Sequence, residues 1–256
     1  EFINRCEGYS DAQLGHNKLR DSQVVAYVWA KLMAESNVQV MLNATVCDPI
    51  MDGRRVKGLI VEHSGGTCAI EAKVVIDCTG EADVAWRAGA PTDPNANASS
   101  GMLFAIAGID GAKYAEFHRT EPAPSPADIE WAQAVFKGER YGFVSRLNPF
   151  LTRYRRAWEL GEYRIVRAIG GGARVTLDHG LATQTHETQG AQDGILEAQI
   201  GVAGASLANG DPLMLSEMES EARAYIFETA QFLRRHVPGC EQSWLLTISP
   251  FFHRRA

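Results

Sequence analysis

The stretch that constrains this chain most is residues 73–83, Lys-Val-Val-Ile-Asp-Cys-Thr-Gly-Glu-Ala-Asp. A short run rich in β-branched apolar residues stops at Thr79 and Gly80, a pattern that predicts a buried strand ending in a tight turn. We call these two residues the Thr-Gly turn. Residues 82–88 then have the composition of a short helix, with Gly89 as its C-terminal cap and a proline two residues beyond. The predicted order is therefore strand, glycine turn, short helix.

This corner has two interpretations on its shape alone. In open α/β sheets, ligands bind at turns beyond the carboxyl ends of strands, because the backbone can approach them closely there and a helix N-terminus favours negative charge. An ordinary structural corner between a strand and a helix has the same sequence pattern. The pattern by itself leaves both open.

Composition limits the classes of protein that remain. Of the 256 residues, 45% are hydrophobic and 22% are charged, which suffices for one large core or two smaller ones. A net charge of −6 argues against general binding to nucleic acid or to an anionic membrane, since both require a basic surface. The longest apolar stretch, residues 102–109, is far too short to cross a bilayer. We therefore expect a soluble globular protein with no nucleic-acid or membrane partner.

The cysteines indicate the redox compartment. They are odd in number, widely spaced and without a Cys-x-x-Cys pair: Cys6, Cys47, Cys68, Cys78 and Cys240. This pattern favours reduced thiols in a cytoplasmic protein over a disulfide framework or a zinc site. We expect no bound metal.

Upstream of the Thr-Gly turn, the pattern predicts a helix, a strand and a small antiparallel sheet. A capped helix runs from residue 22 to about residue 35, with apolar residues at helical spacing, and residues 38–42 follow as a strand. Glycine turns at residues 52–53 and 65–66 separate β-prone runs, which is a hairpin signal. Residues 45–72 should therefore form an antiparallel meander.

A Pro-, Ser- and Asn-rich stretch, residues 91–101, predicts a linker. We place a domain boundary there, with residues 1–92 in one domain and residues 93–256 in the other. Ser216 and Glu219 form a capping box that predicts the start of the longest helix. The remaining predicted elements are strands at 102–109, 163–169, 173–177 and 244–248 and helices that open at Ser125 and near Pro149.

A polar segment, residues 178–194, follows the predicted strand at residues 173–177 and contains His179, His186, Glu187 and Asp193. Side chains of these types could supply metal ligands or an acid/base pair. Their spacing fits no metal pattern, and a merely solvated loop has the same composition. We keep His186 as the candidate catalytic residue.

Two motifs carry a resemblance to a known family. Residues 74–83, Val-Val-Ile-Asp-Cys-Thr-Gly-Glu-Ala-Asp, resemble the strand ending in Ala-Thr-Gly, or Ala-Thr-Gly-Asp-Gly-Asp, of the FAD-dependent oxidoreductases, flavoproteins with two dinucleotide-binding domains. Residues 232–239, Phe-Leu-Arg-Arg-His-Val-Pro-Gly, are similar to the Phe-Leu-Arg-Lys-x-Val-Pro-Gly ending of the family's late helix. The order of helix, strand, meander and closing strand also matches the family's FAD domain.

The resemblance implies FAD as the cofactor and hydride transfer between a small-molecule substrate and FAD. It implies that the backbone at Cys78, Thr79 and Gly80 passes close to the adenosine half of FAD. Asp83 matches the last aspartate of the longer motif and is a further cofactor-binding candidate. Val46 matches a valine that presents backbone groups to the adenine ring, although a plain strand residue is the alternative.

The implied fold is α/β. It comprises part of a Rossmann-like FAD-binding domain with an inserted antiparallel β-meander, followed by a mixed α+β substrate domain. The glycine fingerprint G-x-G-x-x-G, which a dinucleotide fold carries in its first βα unit, does not occur in the sequence, which starts at Glu1. We therefore expect an interior piece of a longer protein.

An alternative function from a different class remains at this point. It is a non-catalytic α+β binding module in which the Thr-Gly turn is purely structural. The sequence leaves the substrate, the electron acceptor and the oligomeric state open, because fold analogy alone does not give function.

Overall fold

The computed structural model describes residues 1–9, 22–80, 82–91, 100–135, 150–168, 174–178, 194–203 and 211–250. The structure is mixed α/β and divides into two compact units. Among the described residues, the first unit holds those up to Pro91 and the second those from Ser100 onward. The division into domains at residues 92 and 93 stays a prediction, because the linker at 92–99 lies outside the described residues.

The first unit combines helices with one small sheet. In chain order its elements are α1 (Phe2–Tyr9), α2 (Ser22–Glu35), β1 (Ala44–Asp52), β2 (Arg55–His63), β3 (Gly66–Glu71) and α3 (Asp83–Arg87). The three strands pair antiparallel in the order β1-β2-β3, and two-residue turns connect them. The predicted meander and the predicted helix from residue 22 to residue 35 are both confirmed.

The core of the first unit is small. Its buried hydrophobic residues in the described part of the chain are Cys6, Val28, Val61 and Val84. Helix α1 packs against α2, and the rings of Phe2 and Trp29 lie 4.9 Å apart. Trp29 nevertheless remains half exposed, so the apolar face predicted for α2 is only partly covered.

Two predictions of strands in the first unit are wrong, because neither run is part of a sheet within the ranges that the structure describes. Residues 38–42 and the run before the Thr-Gly turn belong to no sheet in the described part of the chain. Val74 is 76% exposed and Ile76 is 81% exposed. An apolar run becomes a strand only where a neighbouring strand hydrogen-bonds its backbone, and among the described residues neither run has such a neighbour.

The second unit is built around a five-stranded sheet. Its elements are β4 (Ser100–Ala107), α4 (Gly111–Thr120), α5 (Pro126–Val135), α6 (Leu151–Glu159), β5 (Val166–Ala168), β6 (Arg174–Asp178), β7 (Ile195–Ala203), α7 (Pro212–His236) and β8 (Trp244–Ile248). The strands lie in the order β5-β6-β7-β4-β8, and every neighbouring pair is antiparallel. The antiparallel sheet and its helices agree with the mixed α+β character expected of this part.

The core of the second unit follows from two periodicities. One face of β4 and β7 supplies core residues at the twofold repeat of a strand, namely Met102, Phe104, Ile106, Leu196, Ala198 and Ile200. In β4 the small residues Ala105 and Ala107 of the opposite face are buried as well. Helix α7 buries a stripe at helical spacing that includes Ala222, Tyr225, Ile226 and Leu233. Each large side chain buried in this way stabilises the fold by about 1.5–3 kcal/mol.

Three buried hydroxyl groups inside this core are joined by hydrogen bonds. The Tyr163 hydroxyl donates to that of Tyr225 at 2.9 Å and lies 2.7 Å from that of Thr229. Tyr225 in turn donates to the carbonyl oxygen of Ile165 at 2.9 Å. Burial raises the pKa of Tyr163 well above its ordinary value, so the network is uncharged. We assign it a structural role.

The predictions for the second unit had mixed outcomes. Strands β4 and β8 and helices α5 and α6 are confirmed, and β5 and β6 form the predicted pair. The start predicted for the longest helix is wrong. Helix α7 begins at Pro212, capped by the Asp211 carboxylate, which accepts from the Leu213 N–H at 2.9 Å. Ser216 lies inside the helix and donates to the Pro212 carbonyl oxygen at 2.7 Å.

Two general properties of the described part bear on the expectations from composition. None of its helices has both the length and the apolar character that crossing a membrane requires. Cys6 and Cys240 are buried, Cys47 and Cys68 are half-buried, and Cys78 is exposed. Burial raises the pKa of the Cys240 thiol to about 12, which makes this thiol unreactive.

Candidate functional site

The Thr-Gly turn lies just before α3 in the first unit, and both of its residues are exposed. Gly80 has φ +91°, a conformation that glycine adopts far more easily than other residues. A Cβ atom added to Gly80 would meet nothing within 4 Å. The outer side of the turn is therefore open backbone that a ligand can approach closely.

The inner side of the turn is held by Asp77. One carboxylate oxygen accepts hydrogen bonds from the Thr79 N–H at 3.0 Å and from the Thr79 hydroxyl at 2.8 Å. The other oxygen accepts from the Ala85 N–H at 2.9 Å. These hydrogen bonds, with that from the Thr79 N–H as the largest contribution, hold the pKa of Asp77 below its ordinary value of 3.8.

Asp77 was missed by the sequence reasoning, which assigned it to the middle of a strand. The signal was present, because an aspartate two residues before a Thr-Gly pair is typical of a side chain that bonds the backbone of a turn. The predicted strand concealed that signal.

Helix α3 is short but well defined at both ends. At its start the Asp83 N–H donates to the Thr79 hydroxyl oxygen at 2.9 Å. At its end the Gly89 N–H donates to the Trp86 carbonyl at 2.9 Å and the Ala90 N–H to the Ala85 carbonyl at 3.0 Å. This pair of bonds is a Schellman motif, which confirms the predicted glycine cap. The turn is thus fixed to a helix of defined length.

Val46 lies on β1, where it pairs with the buried Val61 and is itself 37% exposed. Because β1 is an edge strand of the three-stranded sheet, alternate backbone groups point away from its partner. Helix α3 contacts β1, and Arg87 of α3 forms an ion pair with Asp48 of β1 at 3.2 Å. The elements that carry Val46 and the Thr-Gly turn are therefore neighbours.

The other predicted site residues divide into two groups. Cys78 is exposed and Asp83 is half-buried, and both flank the Thr-Gly turn. His186 lies outside the described residues. In the part of the chain that the structure describes, no group of three His, Cys, Asp or Glu side chains is arranged to hold a metal ion.

The family model described as FAD dependent oxidoreductase matches residues 1–255. The chain belongs to this family, and FAD is the cofactor of the family.

Two solved structures are similar over most of this chain. A geranylgeranyl bacteriochlorophyll reductase-like protein from Thermoplasma acidophilum is 13% identical, with a TM-score of 0.39 over 93% of this chain and 41% of that protein. A triple mutant of a flavin-dependent brominase is 14% identical, with a TM-score of 0.37 over 92% of this chain and 45% of that protein. The chain thus spans less than half the length of either. No protein of curated function matches it in sequence.

Proposed function

We propose that this chain is part of a flavoenzyme that transfers a hydride between a small-molecule substrate and FAD. Membership of the FAD dependent oxidoreductase family supports the class of reaction. The observation that carries the site is the open backbone at Gly80, where nothing lies within 4 Å of the position of a Cβ atom. When bound, the isoalloxazine ring of FAD supplies the redox chemistry, and the protein supplies binding and orientation.

In this proposal the first unit is part of a Rossmann-like FAD-binding domain, residues 1–92. The Thr-Gly turn, with Cys78 before it and Asp83 after it, lies against the adenosine half of FAD. Val46 presents backbone groups to the adenine ring, supported by its place on the edge strand beside α3. These roles require FAD to lie close to the protein backbone. The exposed surface at Gly80, which has no side chain, permits this.

The second unit belongs, in the same proposal, to the substrate domain, residues 93–256. His186 stays the candidate acid/base residue on its chemistry alone. The chemical class of the substrate beyond a small molecule is not part of the proposal.

A matched pair of glycine substitutions tests the proposed site. Gly80 and Gly53 both have positive φ, +91° and +57°, and both have open space where a Cβ atom would lie. Ala introduces backbone strain at both positions, and more at Gly80, whose φ lies outside the left-handed region that Ala can adopt. Only Gly80→Ala places a methyl group on the proposed FAD surface. We expect Gly80→Ala to raise the FAD dissociation constant of the full-length protein at least about tenfold, and Gly53→Ala to leave it unchanged.

Flavin fluorescence during titration of the flavin-free protein measures both constants, and thermal unfolding checks that both variants are folded. Equal affinity of Gly80→Ala and wild type would remove the Thr-Gly turn from the FAD site. A similar loss in both variants would show that the effect is strain and not contact with the cofactor.

A further inference from the structure

The hydrogen bonds around Asp77 form one connected set. Its carboxylate accepts three of them: two from Thr79, through the N–H at 3.0 Å and the hydroxyl at 2.8 Å, and one from the Ala85 N–H at 2.9 Å. The single proton of the Thr79 hydroxyl is thus directed at Asp77, while the hydroxyl oxygen accepts from the Asp83 N–H at 2.9 Å. One carboxylate and one hydroxyl therefore connect the turn to both the first and the third residue of α3.

These bonds leave the outer face of the turn unobstructed. The Asp77 carboxylate is directed at donors of its own chain, and the side chain is half-buried, whereas Thr79 and Gly80 are exposed. The Thr79 hydroxyl is engaged in both directions, so what the turn offers to a ligand is its backbone. Asp77 is thus placed to fix the shape of a surface that it does not itself form.

We propose that Asp77 is a positioning residue for FAD, which preorganises the backbone of the Thr-Gly turn before the cofactor binds. The proposal rests on the proposed function, since it assumes that this turn contacts FAD. Without the carboxylate, the Thr79 N–H, the Thr79 hydroxyl and the Ala85 N–H lose their acceptor together. The turn then has to be ordered during binding, and this ordering weakens affinity.

The low pKa of Asp77 agrees with this role, because the hydrogen bonds favour the ionised carboxylate. At neutral pH the acceptor is therefore fully charged, and bonds to a charged acceptor are stronger than those to a neutral one.

Replacement of Asp77 gives the direct test. In Asp77→Ala all three bonds are lost, and we expect the FAD dissociation constant to rise at least about tenfold. In Asp77→Asn the amide oxygen can still accept both hydrogen bonds from Thr79, whereas the amide NH2 group cannot accept from the Ala85 N–H, so affinity should lie between that of Asp77→Ala and that of wild type. Asp52→Asn is the control, because Asp52 is an exposed carboxylate in the hairpin between β1 and β2 that pairs with Lys57. It should bind FAD as wild type does.

The measurement is a titration of the flavin-free full-length protein with FAD, followed by flavin fluorescence, with circular dichroism to verify folding. Wild-type affinity in folded Asp77→Ala would overturn the proposal, and so would Asp77→Asn binding no better than Asp77→Ala. If the wild type itself takes up no FAD, it is the proposed function that fails. If Asp77→Ala does not fold, Thr79→Val and Thr79→Ser replace it: we expect weaker FAD binding in Val and near-normal binding in Ser, and equal binding in both would overturn the proposal.

Discussion

At the scale of single residues, Ala82 is the position where this chain departs most informatively from the family motif. Ala82 has φ +56° and ψ +36°, in the left-handed region that side chains other than glycine rarely adopt. The longer form of the motif, Ala-Thr-Gly-Asp-Gly-Asp, has glycine at the matching position. The two residues that hold the start of α3 are Thr79 and Asp77, which accept hydrogen bonds from the N–H groups of Asp83 and Ala85, just after Ala82.

Replacement of Ala82 by glycine should therefore stabilise the first unit. Relief of left-handed strain is worth about 1–2 kcal/mol, and the greater freedom of glycine in the unfolded chain offsets about 0.4–1 kcal/mol of it. We expect the free energy of unfolding to rise by a few tenths to about 1 kcal/mol. Urea denaturation measures the change.

Ala88 provides the control for this substitution, because it ends the same helix with φ −75° in the right-handed region. Ala88→Gly should lower the free energy of unfolding, since there is no strain to relieve. A loss of stability in both variants would mean that Ala82 is not strained.

At the scale of elements, Asp128 connects α5 to α6. Its carboxylate accepts from the Ser125 N–H at 2.9 Å and the Ser125 hydroxyl at 2.7 Å, and from Thr152 and Arg155 of α6 at 3.2 Å each. Asp128 is only 6% exposed. Burial acts to raise its pKa, but the hydrogen bonds from Ser125, Arg155 and Thr152 outweigh it and hold the pKa below 3.8.

The pH dependence of stability follows from the direction of this shift. A carboxylate whose folded pKa lies below its unfolded pKa stabilises the fold fully above the unfolded value, and this contribution is lost as the pH falls through the folded value. We expect Asp128→Asn to lower the free energy of unfolding by about 1–3 kcal/mol at neutral pH. The difference from wild type should narrow as the pH falls below about 4.

Calorimetry at neutral pH and at about pH 3 measures this difference. Glu130→Gln is the matched control, because Glu130 is an exposed acidic residue on the same helix. A difference between wild type and Asp128→Asn that does not depend on pH would contradict an ionised, hydrogen-bonded Asp128.

The elements also show what sequence can and cannot predict here. The meander, α5 and the Gly89 cap were predictable because their signals are local: glycine turns between β-prone runs, Ser125 followed by Pro126 at a helix start, and glycine at a helix end. The strand at residues 38–42 was not, since pairing depends on a neighbour that no local pattern specifies.

The sequence reasoning also missed one strand, β7, and one site residue, Asp77. Strand β7 carries buried Leu196, Ala198 and Ile200 in alternation, but no strand was predicted for this run, which directly follows the polar segment at residues 178–194. Within the candidate site, Thr79 and Gly80 could be found from a motif. For Asp77 the sequence carries a local signal only for the hydrogen bond to Thr79, two residues on. The bond to Ala85 spans eight residues and depends on the geometry of the turn.

At the scale of the whole molecule, the chain consists of two units with different internal construction. The first has a three-stranded sheet and few buried residues, whereas the second has a five-stranded sheet and an extensive core. Among the described residues, all those proposed to contact FAD lie in the first unit. The family match extends over both units, residues 1–255, so the class of protein is a property of the chain as a whole.

The proposed function requires that the full-length protein binds FAD. The visible absorption spectrum of that protein is measured after purification under mild conditions, before and after addition of FAD and removal of the unbound excess. We expect flavin bands that stay with the protein and that bleach when a suitable small-molecule substrate reduces the flavin. A colourless, folded protein that retains no added FAD would contradict the proposed function and favour a non-catalytic binding module.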